Sequence, residues 1–524
     1  EWKDEKITFD TISIPKWAEL FKADIGLFYD PQKSQRIIDY FYYYQEIQAD
    51  VAATFARAIK EASNGEMIVG IWSGSFFFPG WNEPEGGIQR RRHGAYGKLA
   101  RDPNVDFFLT PYSYRERQPG GVYIPQFLPD SIVLNGKMAI NEEDSRTLLT
   151  PCESTIYSPL YWNTGDNFGQ AWTIEETIAV LKRNFAGIFS KPGSGISWFS
   201  LGNKGLWFDH PEILKTFSVF SEIANNLIGK DKKNSEIAVI VSNKSLYYQS
   251  LNQFHRPLIF AQTAEGLCKM GAPFDVYEDI DLTEPNFPFD NYKLYIFLNT
   301  FHFSEKEREV IKGKIRNKSN TVIWVGCPGF VSDKGLSVEN ISEVTGMKID
   351  YIDPKFAFGT DLTITDYSHP ITKGLPTNTR YGTEHFSREN ILVPIFWCKD
   401  REVEILGELV ATPPTIATFR KPGLCVKKFP NWTSIWSGAP NLPSSLLRNI
   451  ARYAGCHIYD EGDDQIFASE KVLAIHTRYA GERTIKLPKK CDVYDPFQKK
   501  YIAKGVKEFK VSIPAATTEL WILE

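Results

Sequence analysis

The chain has 524 residues, a formal net charge of -4 and 24% charged residues, which excludes the basic, clustered footprint of a nucleic-acid-binding protein. A soft prior of roughly 150 residues per domain implies about three domains. Aromatic residues make up 14% of the chain, enough for flat-faced sites such as sugar clefts after the cores are filled, and no run of about 18 apolar residues exists to cross a membrane.

The seven cysteines are scattered, odd in number and never spaced C-x-x-C, so neither a disulfide framework nor a metal cage is expected. No cofactor motif is present. The chain begins Glu1-Trp2-Lys3-Asp4, without a methionine and without the basic-then-apolar layout of a signal peptide. The expectation is a processed start or a piece of a longer product, soluble, with its compartment unassigned: bacterial-type cytoplasmic, periplasmic or secreted.

In chain order, residues 31–64 read as one long helix, with Ile37, Phe41, Tyr44, Val51, Phe55 and Ile59 recurring at helical intervals and Asn64-Gly65 ending it. Apolar runs predict strands at 67–72, 105–109, 137–141 and 195–199, with a basic helical piece around 90–99. Thr173-Ile174-Glu175-Glu176 is a capping box opening a helix to about Ser190, and Pro211 opens another. Helix and strand alternating at this spacing implies parallel strands in βα units up to residue 228.

A polar linker, Gly229 to Ser235, leads into a second series with strands at 237–241, 274–277, 294–298 and 321–325 and helices near 258–270 and 304–314. It reads as a doubly wound open sheet lacking G-x-G-x-x-G, so no nucleotide is expected. The pattern loosens after about 345 and closes with a helix near 442–453. From about 466, short alternating strands (472–476, 483–487, 509–513, 518–522) predict a small antiparallel β-sandwich.

The chemistry concentrates in Gly136-Lys137-Met138-Ala139-Ile140-Asn141-Glu142-Glu143-Asp144-Ser145-Arg146-Thr147, an apolar run delivered directly into three acids and an arginine. Acids crowded at a strand end repel one another unless pairing or protonation resolves them, and strand ends are where α/β barrels place catalytic carboxylates. Alternation puts Glu143 on the opposite side from Glu142, leaves Asp144 able to share the side of Glu142, and makes Arg146 a partner for either. A solvated acidic turn or a structural ion network is the competing account. Trp72, Tyr112, Tyr114, Trp198 and Trp207 lie at or just past strand ends and as a set fit a sugar cleft where a pyranose can stack, although each taken singly fits a core position better.

Three features together resemble the glycoside hydrolases of family 42 and their relatives in the clan of (β/α)8-barrel retaining glycosidases. They are the order of domains, the run Gly94 to Arg117 with Val105-Asp106-Phe107-Phe108-Leu109 leading into Pro111-Tyr112-Ser113-Tyr114, and the run Gly136 to Arg146. The resemblance implies a partial TIM barrel over 1–228 (strands five to eight), a glutamine-amidotransferase-like α/β trimerisation domain over 235–460 and a β-sandwich over 465–524. It implies a β-galactosidase-like, retaining hydrolase acting on a carbohydrate as a homo-trimer, without cofactor. Glu142 falls at the nucleophile position, Asp144 and Arg146 beside it, and His93 and Arg117 at positions suited to binding sugar hydroxyls. The first strand found resembles the fifth of the family, so the acid/base glutamate of the fourth strand is expected upstream of residue 1.

Two other functions compete. Gly326-Cys327-Pro328-Gly329, after a strand, resembles the nucleophile elbow of glutamine amidotransferases, but Pro328 has no N–H to give to an oxyanion hole, so that domain is expected to be a structural copy. A carbohydrate-binding or scaffold protein that keeps the fold without turnover is the other alternative.

Overall fold

The structure, a computed structural model, describes residue 8 and residues 11–72, 94–150, 169–198, 206–251, 256–353, 359–382, 394–412 and 419–524. Helix α1, Pro31–Ala62, starts where the Asp30 carboxylate accepts the Gln32 N–H at 3.0 Å, with Pro31 supplying a preset φ. It ends at Asn64 and Gly65, both at positive φ. Its apolar residues do not form one stripe. Ile37, Ile38, Phe41, Ala49 and Ala56 are buried, whereas Val51, Phe55 and Ile59 are exposed. Val51 lies ten residues beyond Phe41, roughly three-quarters of a turn out of phase.

Four parallel strands follow: β1, Gly70–Trp72; β2, Phe107–Pro111; β3, Met138–Glu143; and β4, Ser194–Trp198. They pair in sequence order, as the βα alternation requires. Between them lie α2, Tyr96–Ala100; a short α3, Pro129–Leu134, absent from the sequence reading; and α4, Ile174–Phe189. Helix α5, Pro211–Leu227, comes after β4. The capping box of α4 is formed: Glu176 N–H donates to the Thr173 hydroxyl at 3.1 Å, and Thr173 N–H donates back to the Glu176 carboxylate at 3.3 Å.

Register decides which side chains share a face. Phe108 and Ala139 face the helices and are fully buried, and Glu143 and Trp198 lie on that same side. The opposite face carries Phe107 and Met138, then Trp72, Leu109 and Ile140, then Pro111, Glu142 and Ser197. This second face is open: Trp72 is 62% and Met138 51% exposed.

The second series forms a nine-stranded sheet. Its parallel part holds β5, Ile237–Val241; β6, Asp275–Glu278; β7, Leu294–Phe297; and β8, Asn320–Val325, in the order β8-β7-β5-β6. The strand Trp432–Ser437 continues it in parallel beside β8, and antiparallel strands Arg420–Phe429, Glu404–Thr412, Gly359–Ile364 and Arg380–Gly382 extend the far edge. These edge strands are the tract whose pattern loosened. Several pair with their neighbours in the chain, as Phe429 does with Trp432, but Gly423 to Val426 are buried in succession, so no period of two announces them. The C-terminal strands form one five-stranded antiparallel sheet rather than two facing sheets. Its long hairpin, Gly481–Asp495 with Lys500–Ile513, breaks register between Lys486 and Cys491 and again up to Tyr494, so one sheet bends around its own core.

Charged contacts tie the first sheet to the second. Arg101, just past α2, meets Asp281 at 2.6 Å and Glu284 at 2.7 Å, while Lys191 and Lys233 meet Asp130 at 3.0 and 2.7 Å and Lys191 meets Asp275 at 2.7 Å. Glu278, at the end of β6, is packed so tightly against α2 that a Cβ on Gly97 would collide with its carboxylate. Burial and then the neighbouring Asp281 charge push the Glu278 carboxyl up to about 8, with Arg101 opposing.

Candidate active site

The three acids at the end of β3 go to three different places. Glu142 lies on the open face, where Oε2 accepts the Trp72 indole N–H at 2.9 Å and 9% of the residue remains exposed. Burial raises its carboxyl above the ordinary range and Asp144 adds to this; the Trp72 hydrogen bond and the Arg117 charge pull it back.

Glu143 turns to the helices, as alternation requires. It is fully buried, accepting Asn184 Nδ2 of α4 at 3.1 Å, Asn141 Nδ2 at 3.2 Å and the Ser145 N–H at 3.3 Å. Burial outweighs these donors and lifts it to about 6. Asp144 lies past the strand, fully buried. Its Oδ1 takes Arg117 Nη1 at 2.6 Å, and its Oδ2 takes the Tyr114 hydroxyl at 3.0 Å and Arg146 Nη1 at 3.2 Å. Arg146 therefore serves Asp144 rather than Glu142, and Asp144 belongs to a buried ion network rather than to a surface facing substrate.

The same burial corrects other expected site residues. Arg117 is 1% exposed and held within the protein: Nε donates to the Ser113 carbonyl at 2.9 Å, Nη2 to the Tyr112 carbonyl at 2.7 Å, and its guanidinium carbon lies 4.0 and 3.9 Å from the Tyr112 and Tyr114 ring centroids. Asp144 outweighs the burial and holds that guanidinium above its usual value. All three guanidinium nitrogens donate inside the protein and the side chain is buried, so Arg117 is not presented to a sugar hydroxyl. Tyr112 is a core residue, stacked on Tyr123 with its hydroxyl 2.6 Å from that of Ser145. Trp198 points to the helix side, 3.9 Å from the Phe217 ring centroid of α5, because it shares the register row of Glu143. Trp207 is buried under Arg146, whose guanidinium lies 4.7 Å from the ring centroid. Tyr114 is part-buried and tied to Asp144. His93 lies outside the described residues. Of the aromatic set, Trp72 is the one the structure brings to Glu142.

Sequence reading missed the layer beneath. Asn184 also donates to the Ser145 hydroxyl at 3.1 Å, and Arg183, fully buried, donates to the Arg117 and Gln118 carbonyls at 3.0 and 3.1 Å. The available signal was the pair Arg183-Asn184 interrupting the apolar face of α4 between Leu181 and Phe185. Among the described residues, no group of three or more His, Cys, Asp and Glu is placed to hold a metal ion, and no helix is long and apolar enough to cross a membrane.

At Cys327 the thiol is buried and burial holds it well above its ordinary value, the wrong direction for a nucleophile.

No protein-family model matches the chain, and no curated protein matches it. Among solved structures, a β-galactosidase from Bacillus circulans sp. alkalophilus is similar with a TM-score of 0.51 at 12% identity over 83% of this chain. A cold-adapted β-galactosidase from Rahnella sp. R3 is similar with a TM-score of 0.51 at 12% identity over 82% of this chain. The fold resembles that of these two β-galactosidases. At this identity the likeness is one of fold alone. The chain spans 67% and 61% of the length of the two enzymes.

Proposed function

We propose that this chain is the nucleophile-bearing part of a retaining, β-galactosidase-like glycoside hydrolase that acts on a carbohydrate substrate, with Glu142 as the nucleophile. One observation carries this reading: of three adjacent acids, two are sequestered and Glu142 alone is set on the open face of a parallel sheet at the carboxyl end of its strand. Retention needs a second carboxyl about 5 to 5.5 Å away as acid/base. None of the described residues is assigned that role. In the reaction the Glu142 carboxylate attacks the anomeric carbon as the bond from that carbon to the aglycone oxygen breaks, the departing oxygen takes a proton from the acid/base, and water then hydrolyses the glycosyl ester, releasing the sugar and restoring the carboxylate.

On the same reading, residues 1–228 form strands five to eight of a (β/α)8 barrel, 235–460 an amidotransferase-like trimerisation domain without cysteine chemistry, and 465–524 a C-terminal β-domain. The buried, neutral Cys327 thiol and Pro328 beside it support the loss of that chemistry.

Trapping with an activated 2-deoxy-2-fluoro-β-galactoside, read by peptide mass spectrometry, should place an adduct on Glu142. Glu142→Gln should lose adduct and turnover, by roughly a thousandfold or more, with its melting curve unchanged. Turnover retained in that variant, or an adduct on another carboxylate, refutes the assignment. Sugar binding without turnover is favoured by one observation, the indole resting on Glu142 and leaving it 9% exposed. Calorimetric sugar binding with no release of nitrophenol from aryl glycosides would establish it.

A further inference from the structure

We propose that Trp72 is a positioning residue for Glu142: its indole N–H fixes Oε2 and leaves Oε1 as the attacking oxygen. This rests on Glu142 being the nucleophile and adds what orients it. The two residues are not on neighbouring strands. Trp72 is paired with Leu109 of β2, which is paired with Ile140 of β3, and Glu142 lies one same-face step further along β3. The contact at 2.9 Å therefore spans two strand spacings, about 10 Å of sheet. Among aromatic side chains, only an indole combines that reach with a nitrogen donor at its flank.

The ring is not held there by core packing, since Trp72 is 62% exposed. Its place across Leu109 is accounted for by the bond it makes.

Among the described residues, the two charged groups that act on Glu142, Arg117 and Asp144, are bound to each other. Arg117, Arg146 and the Tyr114 hydroxyl all bind Asp144, whose own charge disfavours ionisation of Glu142. Burial disfavours it as well, so among the described residues the indole is the group in direct contact that favours the carboxylate form needed for attack.

Trp72→Phe tests this, because phenylalanine keeps a flat apolar face for stacking and loses the N–H together with the ring that carries it. The chain is labelled with glutamate carrying 13C at the carboxyl, and the Glu142 signal is identified by its disappearance in Glu142→Gln. The titration midpoint of Glu142 should then rise by about one unit in Trp72→Phe. An unchanged midpoint, with the native fold shown by an unchanged melting curve, overturns the proposal.

A second measurement separates this from the catalytic reading. With 2,4-dinitrophenyl 2-deoxy-2-fluoro-β-galactoside, the Oε1–C1 bond forms as the C1–O aryl bond breaks, and the electron pair leaves on dinitrophenolate without any proton from an acid. The pH midpoint of trapping should move upward in Trp72→Phe together with the carboxyl titration. Absence of an adduct in the unaltered protein sinks Glu142 as nucleophile, whereas an unmoved trapping midpoint alongside normal trapping sinks Trp72 as its positioning residue.

Discussion

Replacing Glu278 by glutamine should stabilise the protein increasingly as pH rises. In the folded chain this carboxyl is raised from 4.5 to about 8, chiefly by burial against α2 and then by Asp281. The folded state therefore keeps a proton that the unfolded state has already released. The unfavourable linkage is absent below about 4.5, grows as pH rises between the unfolded and folded values, and levels off above about 8.

The full gap, from 4.5 to about 8, is 3.5 units, or about 5 kcal/mol at about 1.4 kcal/mol per unit. Weighted by titration it amounts to about 1 kcal/mol at pH 5, about 3 at pH 7 and about 5 at pH 9. Arg101 is 2.6 Å from Asp281 and relaxes with it, so these are upper values. Glutamine keeps the shape without the charge. Urea titrations of both proteins at pH 5, 7 and 9 should give stability differences that widen across the series. A difference that is constant over that range would show that Glu278 is ionised in the folded protein, and the reasoning from burial would fail.

Breaking the ion network beneath the site should cost more than any surface pair. Arg117→Met leaves the buried Asp144 with Arg146 and Tyr114 alone and should destabilise by about 3 to 5 kcal/mol in urea unfolding. Adding Asp144→Asn should recover part of that loss, and a single-variant cost below about 1 kcal/mol would contradict the burial argument. At the second sheet, Cys327→Ser should leave glycoside turnover or sugar binding unchanged, measured on aryl glycosides and by calorimetry, because the thiol is buried and neutral. Loss of either function without unfolding would return Cys327 to the list of reactive groups.

The amino-acid sequence by itself determined the elements whose signals are local. Apolar continuity marked β1 to β8 to within a few residues, helical periodicity from residue 31 and the stop at Asn64-Gly65 bounded α1, and Thr173 with Glu176 wrote the start of α4. It also marked the end of β3 as the place where acids collect. Period-two alternation was enough to separate Glu143 from Glu142. What lies beyond the strand is not governed by that period, so the fate of Asp144 was open until Arg117, twenty-seven residues earlier, was seen against it.

Only the tertiary structure distributed the remaining roles, because each depends on a partner distant in sequence. Pairing with Asp144 made Arg117 a strut, register placed Trp198 among the helices, and the span across β2 brought Trp72 to Glu142. The antiparallel strands from 359 to 429 were illegible for another reason: they pair largely with neighbours in the chain, but a run such as Gly423 to Val426 is buried throughout and shows no period of two. A strand's existence is fixed by its own residues, but which of its side chains meets a substrate is fixed by whatever covers its other face.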